Sequence, residues 1–287
     1  MIISDYQKLS WFIKDFTSSY HLKNFYNLIN DQIAVTNKVA NQYLNINEHF
    51  LFYNRLSKDL APDGYYKDIS PEQLMPKFQN QTYRRRMWAR GSIEQMEPLQ
   101  INKEYTCLEH IKNIRSYRSD VFVSLQRDIV DTESQTKLLS EIRTLIYTNN
   151  KPKPNNIIKQ KIGNFENDVI IGKFTFNEMD VVRYSQLTLN PHRIHWDHSY
   201  VRNHEHYKDI LVQGPFSTQI LTLFAEKYMN QSITKLNYRN VNYIYPGTTV
   251  DICLKINDID DTYQFYMRDV SHPEKVYVFL QVESQSP

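Results

Sequence analysis

Five of the chain's nine histidines fall in one window: His192, His195, His198, His204 and His206. The window reads YSQLTLNPHRIHWDHSYVRNHEHY from Tyr184, and it also holds Asn190, Asp197 and Glu205. Asp209 lies just beyond it, and the stretch DILVQGPF follows and ends at Phe216. An imidazole titrates near working pH, so it can take a proton and give it back, and its neutral form binds metals. Three chemistries are therefore open. The window could be a solvated polar loop. It could be a metal site, since His195-x-Asp197 with a distant His272 has the form of the two-histidine, one-carboxylate triad of non-haem iron. No Arg follows His272, where oxygenases of that kind place a co-substrate-binding Arg. The third chemistry is acid–base catalysis by one or more of these imidazoles.

The elements that must hold this loop can be read from periodicity. Leu9, Phe12, Ile13 and Phe16 recur at helical spacing, which predicts a helix from Tyr6 to Asn30. A second helical stretch runs to about Leu60. Asp63-Gly64 and Pro71 then mark a loop. Arg86-Met-Trp, Tyr105 to Tyr117, Val121 to Val130 and Ile142 to Tyr147 are rich in β-branched and aromatic residues, as antiparallel strands are. Thr148 to Lys161, TNNKPKPNNIIKQK, reads as a linker. Beyond it come a strand from Val169 to Phe176, a short helix from Asn177 to Leu187, and the histidine loop. A helix from Pro215 to Asn230 follows, with Phe216, Ile220, Leu223 and Phe224 on one face. Strands at Leu236 to Ile244, Val250 to Ile259, Tyr263 to Asp269 and Val276 to Val282 complete the chain. Helices then strands, twice over, is an α+β order and suggests one unit present twice, divided as 1–150 and 151–287. No sequence repeat relates the two parts.

Composition narrows the chemistry. The chain has 6 glycines among 287 residues, where average usage would give about twenty. No two lie close together, so neither the dinucleotide fingerprint nor a phosphate-binding P-loop is present. Cys107 and Cys253 are the only cysteines, which excludes a CxxC zinc pair and a disulfide framework. A net charge of +2 is not the strongly basic balance of a general nucleic-acid binder. No apolar run approaches the length of a membrane span. The first residues lack a basic cluster followed by an apolar core, and no Arg precedes Arg55, so neither a signal peptide nor a good transit peptide is expected. The final Ser-Gln-Ser-Pro is not a peroxisomal tripeptide.

The stretch YSQLTLNPHRIHWDHSY followed by DILVQGPF resembles the hydratase signature of hot-dog proteins. Aligned without gaps, the signature histidine falls on His195, its aspartate on Asn190, its asparagine on His192 and its helix-start glycine on Gly214. The loop is most similar to a branch reading Ser-x-Leu-Thr-x-Asn-x-His-x-Ile-His-x-Asp, matched here by Ser185, Leu187, Thr188, Asn190, His192, Ile194, His195 and Asp197. That branch includes fungal mitochondrial type 2 hydroxyacyl-thioester dehydratases and bacterial hydratases of mesaconyl- and itaconyl-type thioesters. APDGYY at Ala61 to Tyr66, RRMWARG at Arg85 to Gly91 and Glu97-Pro98-Leu99 match the same branch. The likeness covers roughly residues 50 to 285.

The resemblance implies a double hot-dog fold, with a long helix in each half wrapped by antiparallel sheet and the catalytic loop in the second half alone. It implies interconversion of (3R)-3-hydroxyacyl and trans-2-enoyl thioesters in mitochondrial fatty acid synthesis, without a cofactor or metal. Alternatives are hydration of a short branched dicarboxylic enoyl-CoA, or thioester binding without catalysis. His195 would be the base and Gly214 an oxyanion donor at a helix start. Asn190 cannot transfer a proton as the family's aspartate does, so Asp197 or His192 would supply a second function, or His195 would serve both steps. Arg85, Arg86, Arg193 and Gln213 are the substrate-binding candidates. Arg84, Arg85, Arg86 and Arg90, or the lysines at 151, 153, 159 and 161, would receive an anionic carrier, either coenzyme A or acyl carrier protein. A homodimer stays open.

Overall fold

Trp11 and Ile13 face inward while Ser10, Phe12, Lys14 and Phe16 face solvent, a period of two rather than the helical spacing read from the sequence. In the computed structural model, which describes residues 9–33, 42–152, 168–255 and 262–283, this stretch is strand β1 (Ser10–Phe16). It pairs antiparallel with a later strand along Glu104–His110. Ser18 caps the helix that follows, α1 (Ser19–Ile29), by accepting from the His21 N–H. The expected helix up to Leu60 is absent among the described residues. Residues 42–70 run irregularly, with one short 3-10 turn at Glu48–Leu51. A single turn, α2 (Pro71–Leu74), precedes the strands β2 (Arg85–Gln95), β3 (Glu104–Tyr117), β4 (Asp120–Asp131) and β5 (Lys137–Thr148).

The second part repeats this order: β6 (Val169–Thr175), α3 (Glu178–Leu187), the one-turn α4 (His198–Tyr200), α5 (Gly214–Met229), then β7 (Lys235–Asn240), β8 (Thr249–Lys255), β9 (Thr262–Asp269) and β10 (Val276–Glu283). The linker read over Thr148 to Lys161 falls largely outside the described residues, as do the first residues of the Tyr6 to Asn30 stretch and the last ones of the Val250 to Ile259 strand. All ten strands join one sheet in the order β1-β3-β4-β5-β2-β7-β10-β9-β8-β6. That order is a mirror about the β2–β7 seam, where Arg90 to Glu94 pair with Arg239 to Lys235. The duplication inferred from element order is thus visible in the sheet.

The halves differ in what fills them. Twelve consecutive residues of α5, Pro215 to Glu226, are buried, as expected of a helix enclosed on all sides. The first half has no counterpart of this helix among the described residues, contrary to the expected pair of long helices. Residues 48–55 lie in its place across β3, β4 and β5. His49 Nε2 meets Glu141 at 3.0 Å, and Arg127 bonds Glu109, Glu141 and the Tyr53 carbonyl oxygen. Arg55 closes the cluster on Glu109 and Asp68. Buried charge survives there because each group is paired.

Candidate active site

A cavity of about 770 Å³ opens at the β2–β7 seam, beside the start of α5. Both halves line it. Tyr65, Arg85, Arg86 and Trp88 come from the first, and Asn190, His192, His195 and Gly214 from the second.

His195 sits in a 3-10 turn at Arg193–His195. Its Nδ1 lies 2.8 Å from the Leu211 carbonyl oxygen. A carbonyl only accepts, so Nδ1 carries the proton and Nε2 keeps its lone pair. Burial pushes the imidazole down to about 4, against the bond to Leu211, which works in the opposite direction. The ring is therefore neutral at physiological pH. His192 lies beside it, with ring centroids 5.4 Å apart and nearly perpendicular. Burial first, then His195 and Arg86, hold His192 well below the usual imidazole range.

Asn190 shapes the turn: its Oδ1 accepts from the His192 N–H at 3.1 Å, which leaves the amide Nδ2 as a donor. Gly214 begins α5. A side chain there would stand 2.8 Å from Asn240 Nδ2 and 3.2 Å from Trp88 Cβ, so a Cβ at this helix end would push on the Asn240 amide that bonds the Trp88 carbonyl oxygen. First-turn N–H groups have no partner within a helix, and the macrodipole adds partial positive charge.

Three residues singled out from the sequence lie away from the cavity lining. Asp197 caps α4 by accepting from the Tyr200 N–H at 2.9 Å, and it binds the Arg193 guanidinium at 2.7 Å. Arg193 is engaged by that pair, by the Pro62 carbonyl oxygen and by the face of the Tyr200 ring. Gln213 points its Nε2 at Val181 and Ser185. Arg85 and Arg86 reach the cavity, but their guanidinium groups are committed elsewhere. Arg85 holds the Glu205 backbone and carboxylate, and Arg86 holds Asp63 at 2.6 Å. His272 sits in the β9–β10 turn, 3.6 Å from Asp269. Among the described residues no three His, Cys, Asp or Glu side chains gather to hold a metal ion, and His195, Asp197 and His272 instead face Leu211, Arg193 and Asp269.

The sequence reading gave no role to Asp63 or Tyr65. The Tyr65 ring packs against His192 at 5.4 Å. Asp63 is buried, and its Oδ2 lies 3.5 Å from His192 Nε2. The available signal was Asp63-Gly64: Gly64 has φ +82° and lies so close to the Pro191 carbonyl oxygen that a Cβ would collide with it.

A buried helix wrapped by a mirrored antiparallel sheet, with paired imidazoles at its start, defines a double hot-dog protein. The solved MaoC-like dehydratase of Phytophthora capsici superposes with a TM-score of 0.72 over 99% of both chains, at 12% identity. The family model described as hydroxyacyl-thioester dehydratase type 2 matches residues 47–246, and the chain belongs to that family of hydro-lyases. It is 37% identical to the mitochondrial hydroxyacyl-thioester dehydratase type 2 of Saccharomyces cerevisiae, over 94% of this chain and 96% of that one. Its identity to the Schizosaccharomyces pombe protein of the same name is 26%, over 72% and 76% of the two chains.

Proposed function

We propose that this protein dehydrates (3R)-3-hydroxyacyl thioesters to trans-2-enoyl thioesters in mitochondrial type II fatty acid synthesis, with His195 as its general base. The observation that carries this reading is the His195–Leu211 bond, which leaves a neutral imidazole with an available Nε2 in a cavity large enough for an acyl chain. Nε2 takes the proton from C2, the C2–C3 double bond forms as the C3–O bond breaks, and the same proton passes from Nε2 to the departing hydroxyl, which leaves as water. One base serves both steps when elimination is syn. The thioester oxygen gathers charge as the C2 proton departs, and the start of α5 at Gly214 offers it a preorganised donor. The Asn190 amide donates to the substrate but transfers no proton.

The carrier is anionic, coenzyme A or acyl carrier protein. Arg118, Lys151 and Arg239 lie on the cavity wall and suit a phosphate-bearing arm. The relatives' mitochondrial setting is carried over on family membership.

The test is spectrophotometric. Crotonyl- and decenoyl-CoA should lose their enoyl absorbance with wild-type protein. His195→Ala should lower turnover by about a thousandfold with an unchanged thermal melt. Near-normal rates in that variant would remove His195 from the role of base.

A further inference from the structure

We propose that Asp63, supplied by the half that lacks a catalytic loop, is a positioning residue that fixes His192 in its Nε2–H tautomer, so that Nδ1 accepts from the substrate's 3-hydroxyl. The inference rests on the dehydratase reading of the cavity and adds to it a role for the second imidazole.

Several contacts aim Asp63 at this ring. Its carboxylate is 5% exposed and lies with Oδ2 3.5 Å from His192 Nε2. That nitrogen is fully buried and has no hydrogen bond. The carboxylate is itself held, by Arg86 Nε at 2.6 Å, Arg86 Nη2 at 3.1 Å and the Tyr65 N–H at 3.0 Å. The loop that carries it is tied to the histidine loop by the Arg193 N–H, which donates to the Asp63 carbonyl oxygen at 2.8 Å. Gly64 lies against Pro191 on the same side.

The charges around the ring decide what Asp63 does. Arg86 neutralises the carboxylate with a bidentate pair, and the same guanidinium disfavours a positive His192. Asp63 therefore does not create an imidazolium, as the carboxylate of a hydrolytic triad helps to do. It presents an acceptor only, and a neutral imidazole facing an acceptor places its one proton there. The lone pair is then left on Nδ1, on the opposite side of the ring. His195 and His192 become two acceptors with different tasks. His195 Nε2 moves the proton, and His192 Nδ1 holds the hydroxyl hydrogen that stays on the leaving water. This assigns a task to His192, which the hydratase signature aligns with an asparagine.

Two measurements test the proposal. In wild-type protein, nitrogen-15 NMR of the histidine rings should show His192 protonated at Nε2 and bare at Nδ1. The reverse tautomer overturns the assignment, and this readout needs no turnover, so it fails separately from the dehydratase reading. In a double-mutant cycle, Asp63→Asn should lower kcat by roughly ten- to a hundredfold with little change in KM. The same change in a His192→Ala background should alter kcat by less than about twofold. Equal losses in both backgrounds would reduce Asp63 to a scaffold residue and overturn the proposal. If Asp63→Asn does not fold, the NMR tautomer decides.

Discussion

His195 and Leu211 are joined by a bond from the ring Nδ1 to the backbone carbonyl oxygen, 2.8 Å long. Leu211 stands three residues before Gly214, so the His195 ring is fixed to the segment that leads into α5. The proposed proton acceptor and the proposed oxyanion donor are thereby tied to one piece of backbone.

This arrangement sets a pH profile. Burial lowers His195 from 6.5 to about 4. A base works unprotonated, so activity should persist as pH falls through 6.5 and decline only near the lower value. The acid limb of kcat/KM, measured in constant-ionic-strength buffers, is expected near pH 4. A limb at 6 to 7 would mean that the imidazole is solvated.

Gly214→Ala should abolish most activity and leave the sheet intact. The added methyl meets Asn240 and Trp88, so either the start of α5 shifts or the Asn240 amide gives up its bond to the Trp88 carbonyl oxygen. Loss of one oxyanion donor costs about a hundred- to a thousandfold in kcat. Turnover of crotonyl-CoA beside a circular dichroism melt separates this loss from misfolding.

Gly64→Ala acts through the neighbouring loop. The residue has φ +82° and its Cβ would strike the Pro191 carbonyl oxygen. A cost of about 1 to 3 kcal/mol is expected from the backbone conformation. Chemical denaturation should show it as a lower midpoint with an unchanged slope.

Glu48 provides a stability prediction away from the cavity. It is buried, accepts from the Tyr26 hydroxyl and from Asn45, and burial pushes its carboxyl from 4.5 up to about 8. Between those values the folded chain holds a proton that the unfolded chain has lost, so stability falls as pH rises across that window. Melting temperatures should decline from pH 5 toward pH 8, and Glu48→Gln should flatten that decline. An equally steep decline in the variant would place the titration elsewhere.

The legible parts of the fold were those whose local pattern and tertiary role agreed. α5 and the strands of the second half announced themselves, because buried apolar residues recur at one period and turns bound them. β1 did not. Leu9 before it and its own Phe12, Ile13 and Phe16 suit a helix as well as a strand, and only pairing with β3 decides. Residues 42–60 read as helical, yet they carry Asn47, Glu48 and His49 into the interior, where side-chain pairing replaces a regular ladder. His192, His195 and Gly214 lie in one contiguous stretch that the hydratase signature marks, and all three line the cavity. Asp63 showed only as part of the Asp63-Gly64 turn, because its partner His192 lies in the other half of the chain and the turn says nothing of what it packs against.

The ion cluster around Arg127 has a consequence for how such an enzyme can be assembled. An assembly of two identical subunits must place every side chain twice, so a guanidinium buried in place of one helix would also displace its twin. Joining the copies in a single polypeptide lifts that constraint. One copy can give up its own pocket and send a loop to brace its neighbour's.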